Sequence, residues 1–368
     1  MTVAPTTPPT TASTTTTRPT VPGFLAQSAS FVAADDGFLL GLVACPAGTC
    51  LALRHTVDGA ETWTAVPAPP TTAADTVGGG VPGLHFADAT NGWVFGTSLW
   101  ATHDGAQTWH EVSLGGSVVA MASGAGVAYA LVEPCTSAPC TGPGHLYSSP
   151  VDEDAWAEVP GVSGRFDTSA SAVVAEGRSV FVLMASPGPA ILGSTDGVHF
   201  APLPVPCSPE STSPVPFAPA DLAASDPSDV AVACVGSVAA GSQMKQVYLS
   251  HDGGHSYERL PDPPAGGDGA ELAMPAPTTV LLASSSGATE VYRIAPPDGS
   301  WTTPLFLGSG GVPVSDPAFV DPTHGALVFG PATFSLSILG TADAPPDLGT
   351  LYLTDDGGAD WRPVPVAS

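Results

Sequence analysis

Positive charge is scarce in this chain. Lys and Arg total 8 against 34 Asp and Glu among 368 residues, for a formal charge of −26, and Lys245 is the sole lysine. A surface of that sign repels phosphate backbones and anionic lipid, which argues against nucleic-acid and membrane-surface partners. A phosphate-cradling loop needs a lysine directly after its glycines, and none stands there, so nucleotide chemistry is not expected. Long apolar runs are also missing. No segment is long enough to cross a bilayer, and the chain as given opens with no basic and apolar leader. Direct membrane insertion is therefore not expected. Neither a metal nor a cofactor is expected: no C-x-x-C occurs, and "DDGGAD" and "DPSD" miss the D-x-D-x-D-G calcium spacing. His85, His110 and His324 stand without a partner at ligand spacing.

Turn formers and apolar residues are abundant instead. The 42 Gly, 41 Pro and 43% hydrophobic content suit many short strands joined by turns around a sizeable core. Residues 1–22, "MTVAPTTPPTTASTTTTRPTVP", form a Thr/Pro tract that cannot bury a core and reads as a disordered stalk or linker. The folded part is expected over 23–368.

A repeat runs through that part. "HTVDGAETW" (55–63), "THDGAQTW" (102–109), "LSHDGGHSY" (249–257) and "LTDDGGADW" (353–361) place Ser or Thr two before Asp, then Gly, then an aromatic. "GSTDGVHF" (193–200) is one residue shorter, and "LYSSPVDEDAW" (146–156) and "VYRIAPPDGSW" (291–301) are degenerate copies. The closing aromatics Trp63, Trp109, Trp156, Phe200, Tyr257, Trp301 and Trp361 recur roughly every 45 residues, with two longer intervals. A second unit keeps the same beat: "FVAADDGFLLGLV" (31–43), "LHFADATNGWVFG" (84–96) and "AFVDPTHGALVFG" (318–330), with four looser versions. Each shows a strand, a polar turn and a nearly all-apolar strand covered on both faces. Four short antiparallel strands, A to D, in each of seven repeats predict an all-β, seven-bladed β-propeller. The blades fall near 24–68, 80–114, 115–160, 166–205, 218–262, 269–306 and 314–366, with residues 22–28 the candidate for a closing strand.

The Ser/Thr-x-Asp-x-Gly-x-x-Trp pattern resembles the Asp-box, or BNR repeat, and the paired "F-x-D…G-W-x-x-G" element resembles the photosystem II stability/assembly factors. The likeness covers the chain from about residue 24 onward. Sialidases, xyloglucan hydrolases and sortilin-type receptors share the box, so it specifies a fold and not an activity. The resemblance implies that Asp58, Asp104, Asp196, Asp252 and Asp356 are structural, each tying a C–D turn, with the aromatics wedged between blades. On that reading "LSHDGGHSYERL" (249–260) is a turn and not a metal site. His251 and His255 occupy positions held elsewhere by unrelated residues.

Chain direction puts A–B and C–D turns on one face and D–A and B–C loops on the other. Loops 134–145, 206–220, 236–246, 303–315 and 330–349 lie on the second face, where function is expected. Cys45–Cys50 and Cys135–Cys140 bracket equivalent B–C loops, leaving Cys207–Cys234 as a third pair. Three disulfides imply an oxidising compartment. The expected location is extracellular or cell envelope, through export and an anchor upstream of the stalk.

Three functions compete. A sialidase grips its anionic sugar with three converging arginines, but Arg54, Arg178, Arg259, Arg293 and Arg362 fall on C strands, D strands or A–B turns, leaving Arg165 alone near the working face. A hydrolase of neutral polysaccharide needs two carboxylates, for which Asp167, Asp221, Glu271 and Asp316, near the starts of A strands, are the candidates at an acidic channel mouth. A non-catalytic binding or assembly scaffold would present the stapled loops to a protein, peptide or glycan. The basic patch implied by the assembly-factor resemblance is absent from so acidic a chain. The scaffold reading is the expectation.

Overall fold

The computed structural model describes residues 23–366, apart from 47, 72–81, 136–141, 167–169, 185–189, 208–216, 240–241, 265, 286–287, 310–312 and 331–347. Over these residues the chain forms seven four-stranded sheets, each from four consecutive antiparallel strands in the order A-B-C-D. They span 25–66, 83–112, 117–164, 172–203, 218–259, 268–309 and 314–364. The A strands of neighbouring blades touch all the way round, blade 7 to blade 1 included, so the A strands form an inner ring. This is a seven-bladed β-propeller. No helix of the described residues is long and apolar enough to cross a membrane.

The apolar B strands explain the arrangement. In blade 4, Ser179–Met184 is buried at every position, and so is Gly325–Phe329 in blade 7. A strand buried on both faces must lie inside a stack of sheets. The buried residues accordingly divide into seven clusters, one at each seam between adjacent blades. At the seam of blades 1 and 2, Phe38 and Phe86 stack with ring planes 4° apart. The recurring aromatics wedge into the same seams. Trp109 donates its indole N–H to the Pro67 carbonyl of blade 1 (2.9 Å), and Trp301 donates to Pro261 just beyond blade 5 (2.7 Å). Trp156 of blade 3 meets Trp93 of blade 2 edge to face.

An A strand has one edge without a ladder partner, and side chains take up its backbone groups. Ser28 and Ser30 of blade 1 accept the N–H groups of Leu84 (3.0 Å) and Phe86 (2.8 Å) of blade 2. Ring closure works by packing in the same way. Residues 22–28 were the candidate closing strand, but Leu25–Phe31 is strand A of its own blade. It meets blade 7 through one cluster of buried side chains and a bond from Ala26 N–H to the Gly349 carbonyl (3.1 Å). Among the described residues, blade 7 takes all four of its strands from 314–364 and pairs with none from the N-terminal segment.

Two expected loops are largely strand. Pairing of Val238 with Gln243 and Ala239 with Ser242 extends the B–C hairpin of blade 5 through most of 236–246. Within 303–315, strand D of blade 6 runs over Thr302–Ser309, because Leu305 and Leu307 point inward and alternate with an exposed Phe306. Strand B of blade 5 accordingly runs past Cys234 to Ala239.

Candidate functional site

On the A–B/C–D face the repeats build a paired turn. At Asp104, the Thr102 hydroxyl donates to Oδ1 (2.9 Å) and accepts the Ala106 N–H (3.0 Å), while Thr108 donates its N–H (2.9 Å) and hydroxyl (2.6 Å). Asp58, Asp196, Asp252 and Asp356 each accept the Ser or Thr hydroxyl two residues before them and backbone N–H groups after them. Donors of this kind hold Asp104 and Asp252 down at about 2, led by the hydroxyls of Thr108 and Ser256. The chain passes through φ > 0 at Gly59, Gly105, Gly253 and Gly357 and again one residue later. There Ala60 and Ala106 adopt φ of 69° and 66°, so glycine is not obligatory at the second position. Each of these four glycines donates its N–H to a carbonyl of the A–B turn: Asp35, Thr90, Ser228 or Thr323. Three A–B turns are themselves tied by Asp88, Asp226 and Asp321, which accept N–H groups two and three residues on. Their carboxylates are therefore committed to the turns.

His85, His110 and His324, read in the sequence as lacking a partner at ligand spacing, each have a hydrogen-bond partner here. His324 pairs with Asp321 (2.8 Å), partly buried His85 bonds the Ser123 hydroxyl (2.9 Å), and His110 meets Asp154 of the next blade. His251 contacts Asp229 in the A–B turn, linking the two turns of blade 5. The sequence concealed these pairs because most cross between turns or blades. Asp321 and His324 are the exception, and their three-residue spacing was a usable signal. This face also holds a cleft of about 310 Å³ at the seam of blades 7 and 1, lined among others by Asp35, Glu61, His324, Asp355 and Arg362. Sequence reasoning missed it, since it had placed function on the opposite face.

Of the four inner-ring carboxylates, Asp167 lies outside the described residues, and Asp316 is in strand A of blade 7 with its side chain outside them. Asp221 and Glu271, on the A strands of blades 5 and 6, are brought close enough to interact electrostatically. Burial, then the Glu271 charge, hold the Asp221 carboxyl well above the ordinary carboxylate range. Its Oδ1 accepts Leu222 N–H (2.8 Å) and its Oδ2 accepts Leu272 N–H (2.7 Å). Asp221 thus fastens blade 5 to the free edge of blade 6, as Ser28 and Ser30 do between blades 1 and 2.

The D–A/B–C face is braced covalently and by charge. Cys45–Cys50 closes the B–C hairpin of blade 1, and Cys207–Cys234 ties the segment leaving blade 4 to strand B of blade 5. Cys135 is disulfide-bonded, while Cys140 lies outside the described residues. Beside the blade 5 hairpin, buried Lys245 donates to the carbonyls of Gln243 (3.1 Å), Gly266 (2.8 Å) and Gly267 (2.8 Å). Burial lowers this amine to about 8, against the opposing pull of Asp268 and Glu290. The hairpin is thereby fixed to the entry of blade 6. Val238 (56% exposed) and Met244 (46% exposed) stand out from it, and Phe306 is exposed opposite Glu290 near the same end of blade 6.

These features define a seven-bladed β-propeller with a turn-locked face and a stapled loop face. Among solved structures it is similar to YCF48 from Cyanidioschyzon merolae, with 16% identity over 84% of this chain and 94% of that one and a TM-score of 0.55. It is also similar to the β-propeller domain of the Trilobed protease from Pyrococcus furiosus, described as having an open velcro topology (8% identity, 94% and 97% covered, TM-score 0.56). An ancestral GH74 enzyme matches at 12% identity over 92% of this chain and 44% of its own length, with a TM-score of 0.52. No family model and no curated protein matches the sequence. The likeness is one of fold.

Proposed function

We propose that this protein is a non-catalytic binding or assembly scaffold acting outside the cytoplasm, at the cell envelope or beyond it. Its partner is a protein, peptide or glycan engaged by the D–A/B–C face. The observation that carries the reading is the blade 5 hairpin, where Val238 and Met244 are held out to solvent on a segment fixed by Lys245 and by the Cys207–Cys234 bond next to it. Exposed apolar side chains on a rigid support lose little freedom on binding, which favours an interface. Val57 and Val198 are also exposed, but they sit singly on turns of different blades. The acidic surface favours a basic partner. The disulfides support that choice of compartment. The test is the Val238→Asp/Met244→Asp variant: it should lose partner binding measured by pull-down and calorimetry, with an unchanged melting temperature. Binding at the wild-type level would refute the assignment.

A second reading, hydrolysis of a neutral polysaccharide, is favoured by the proximity of Asp221 and Glu271 and the raised Asp221 carboxyl, the condition for a general acid. Against it stand the two backbone N–H groups that already occupy Asp221. Release of reducing ends from β-glucans, lost in Glu271→Gln, would decide for this reading.

A further inference from the structure

We propose that His103, His110 and Asp154 form a divalent transition-metal site, of Zn²⁺ type, that staples blades 2 and 3 on the A–B/C–D face. Among the described residues this is the one group whose ligand atoms converge, all lying within 4.8 Å of one another. His103 is in the C–D turn of blade 2, His110 opens strand D of the same blade, and Asp154 belongs to the degenerate C–D turn of blade 3. His103 Nε2 lies 3.1 Å from Asp154 Oδ2, and His110 Nε2 meets the same oxygen.

Hydrogen bonding determines what this convergence requires. Both oxygens of Asp88 accept from the Asn91 amide nitrogen (3.1 and 2.9 Å), so that nitrogen is committed and Asn91 Oδ1 faces His103. The Oδ1 to His103 Nδ1 distance is 2.7 Å, and an amide oxygen only accepts, so Nδ1 carries the proton. In its neutral form the ring directs a bare Nε2 at the carboxylate oxygen. Two acceptors facing each other at that distance need a metal ion or a proton between them, and His110 adds a third donor atom to the same point. Asn91 plays the orienting part that an outer hydrogen-bond partner plays for a metal-bound histidine. The indole N–H of Trp156 reaches the other oxygen, Oδ1, at 3.4 Å.

Two imidazoles and one carboxylate suit Zn²⁺ and its neighbours over Ca²⁺ or Mg²⁺, which prefer all-oxygen sets. The half-exposed His110 leaves the solvent side open for a fourth ligand, and the net negative charge raises the local cation concentration. The alternative occupant of the same gap is a pair of protons on the two rings, making a histidine–aspartate ion-pair cluster.

Metal titration separates the two. Zn²⁺ should bind wild-type protein with one site at least tenfold tighter than any site remaining in His103→Ala/His110→Ala, and should raise the wild-type melting temperature. Co²⁺ should give the visible absorption of a nitrogen-and-oxygen tetrahedral site in wild type only. His110→Gln, at an exposed position, provides a folded check: without metal it should melt with wild type, and with Zn²⁺ it should lose the stabilisation. Equal Zn²⁺ affinity in wild type and both variants, or no binding to wild type near neutral pH, would overturn the site and leave the proton-bridged cluster.

Discussion

Glu176, at the end of strand A in blade 4, faces the A–B turn of blade 5. Burial, then the charge of Asp226, push its carboxyl from 4.5 to about 7. Asp226 stays ionised beside it, because the Ser228 hydroxyl and the N–H groups of Ser228 and Asp229 outweigh its own burial. A raised acid binds its proton in the folded state after the unfolded chain has released it. Its stability cost is therefore absent below about pH 4, grows between 4.5 and about 7, and is complete above that. The full linkage value is about 3.4 kcal/mol, at 1.36 kcal/mol for each tenfold change, and partial exposure of Glu176 reduces it to roughly 1–2 kcal/mol. Glu176→Gln should therefore raise the melting temperature at pH 8 by roughly 1–3 °C and leave it unchanged at pH 4. Scanning calorimetry at the two pH values measures both. An equal shift at both pH values, or none at pH 8, would refute the electrostatic argument.

Three further outcomes follow from the seams and turns. Replacing both Cys207 and Cys234 by Ala should cost about 3.5 kcal/mol, the loop-closure value for a separation of 27 residues, read as a lower urea midpoint. Thr102→Val removes the acceptor of the buried Ala106 N–H at nearly constant volume and should cost about 1–3 kcal/mol by the same assay. The Asp104 carboxyl is held down at about 2, so its contribution is present above the ordinary carboxylate value and is lost as pH falls toward 2. Asp104→Asn should flatten the acid limb of the stability profile, and an unaltered limb would count against the turn's role.

The blade plan was legible because it is written locally. A Ser/Thr-x-Asp turn and an all-apolar strand each recur within a few residues, and the sheets follow their period. The inner strands were harder to read. Asp221 looks like a solvated or catalytic carboxylate in sequence, and only the adjacent blade reveals the Leu272 N–H that it accepts. The same holds for His110 and Asp154, which are 44 residues apart and meet because consecutive blades align their C–D turns. The lone Lys245 gave no sign of its three backbone carbonyls, two of which belong to the next blade's entry. Contacts across seams join one copy of the repeat to the next, and a pattern read within each copy cannot display them.

The central claim is that partners are engaged by the stapled loop face. Photo-cross-linking in the native cell tests it most directly, with a photoreactive residue placed at the exposed positions 238 and 244 on the loop face and at 57 and 198 on the turn face. The account predicts a discrete cross-linked partner from 238 and 244 and none from 57 or 198. Cross-links arising only from the turn-face positions would contradict it.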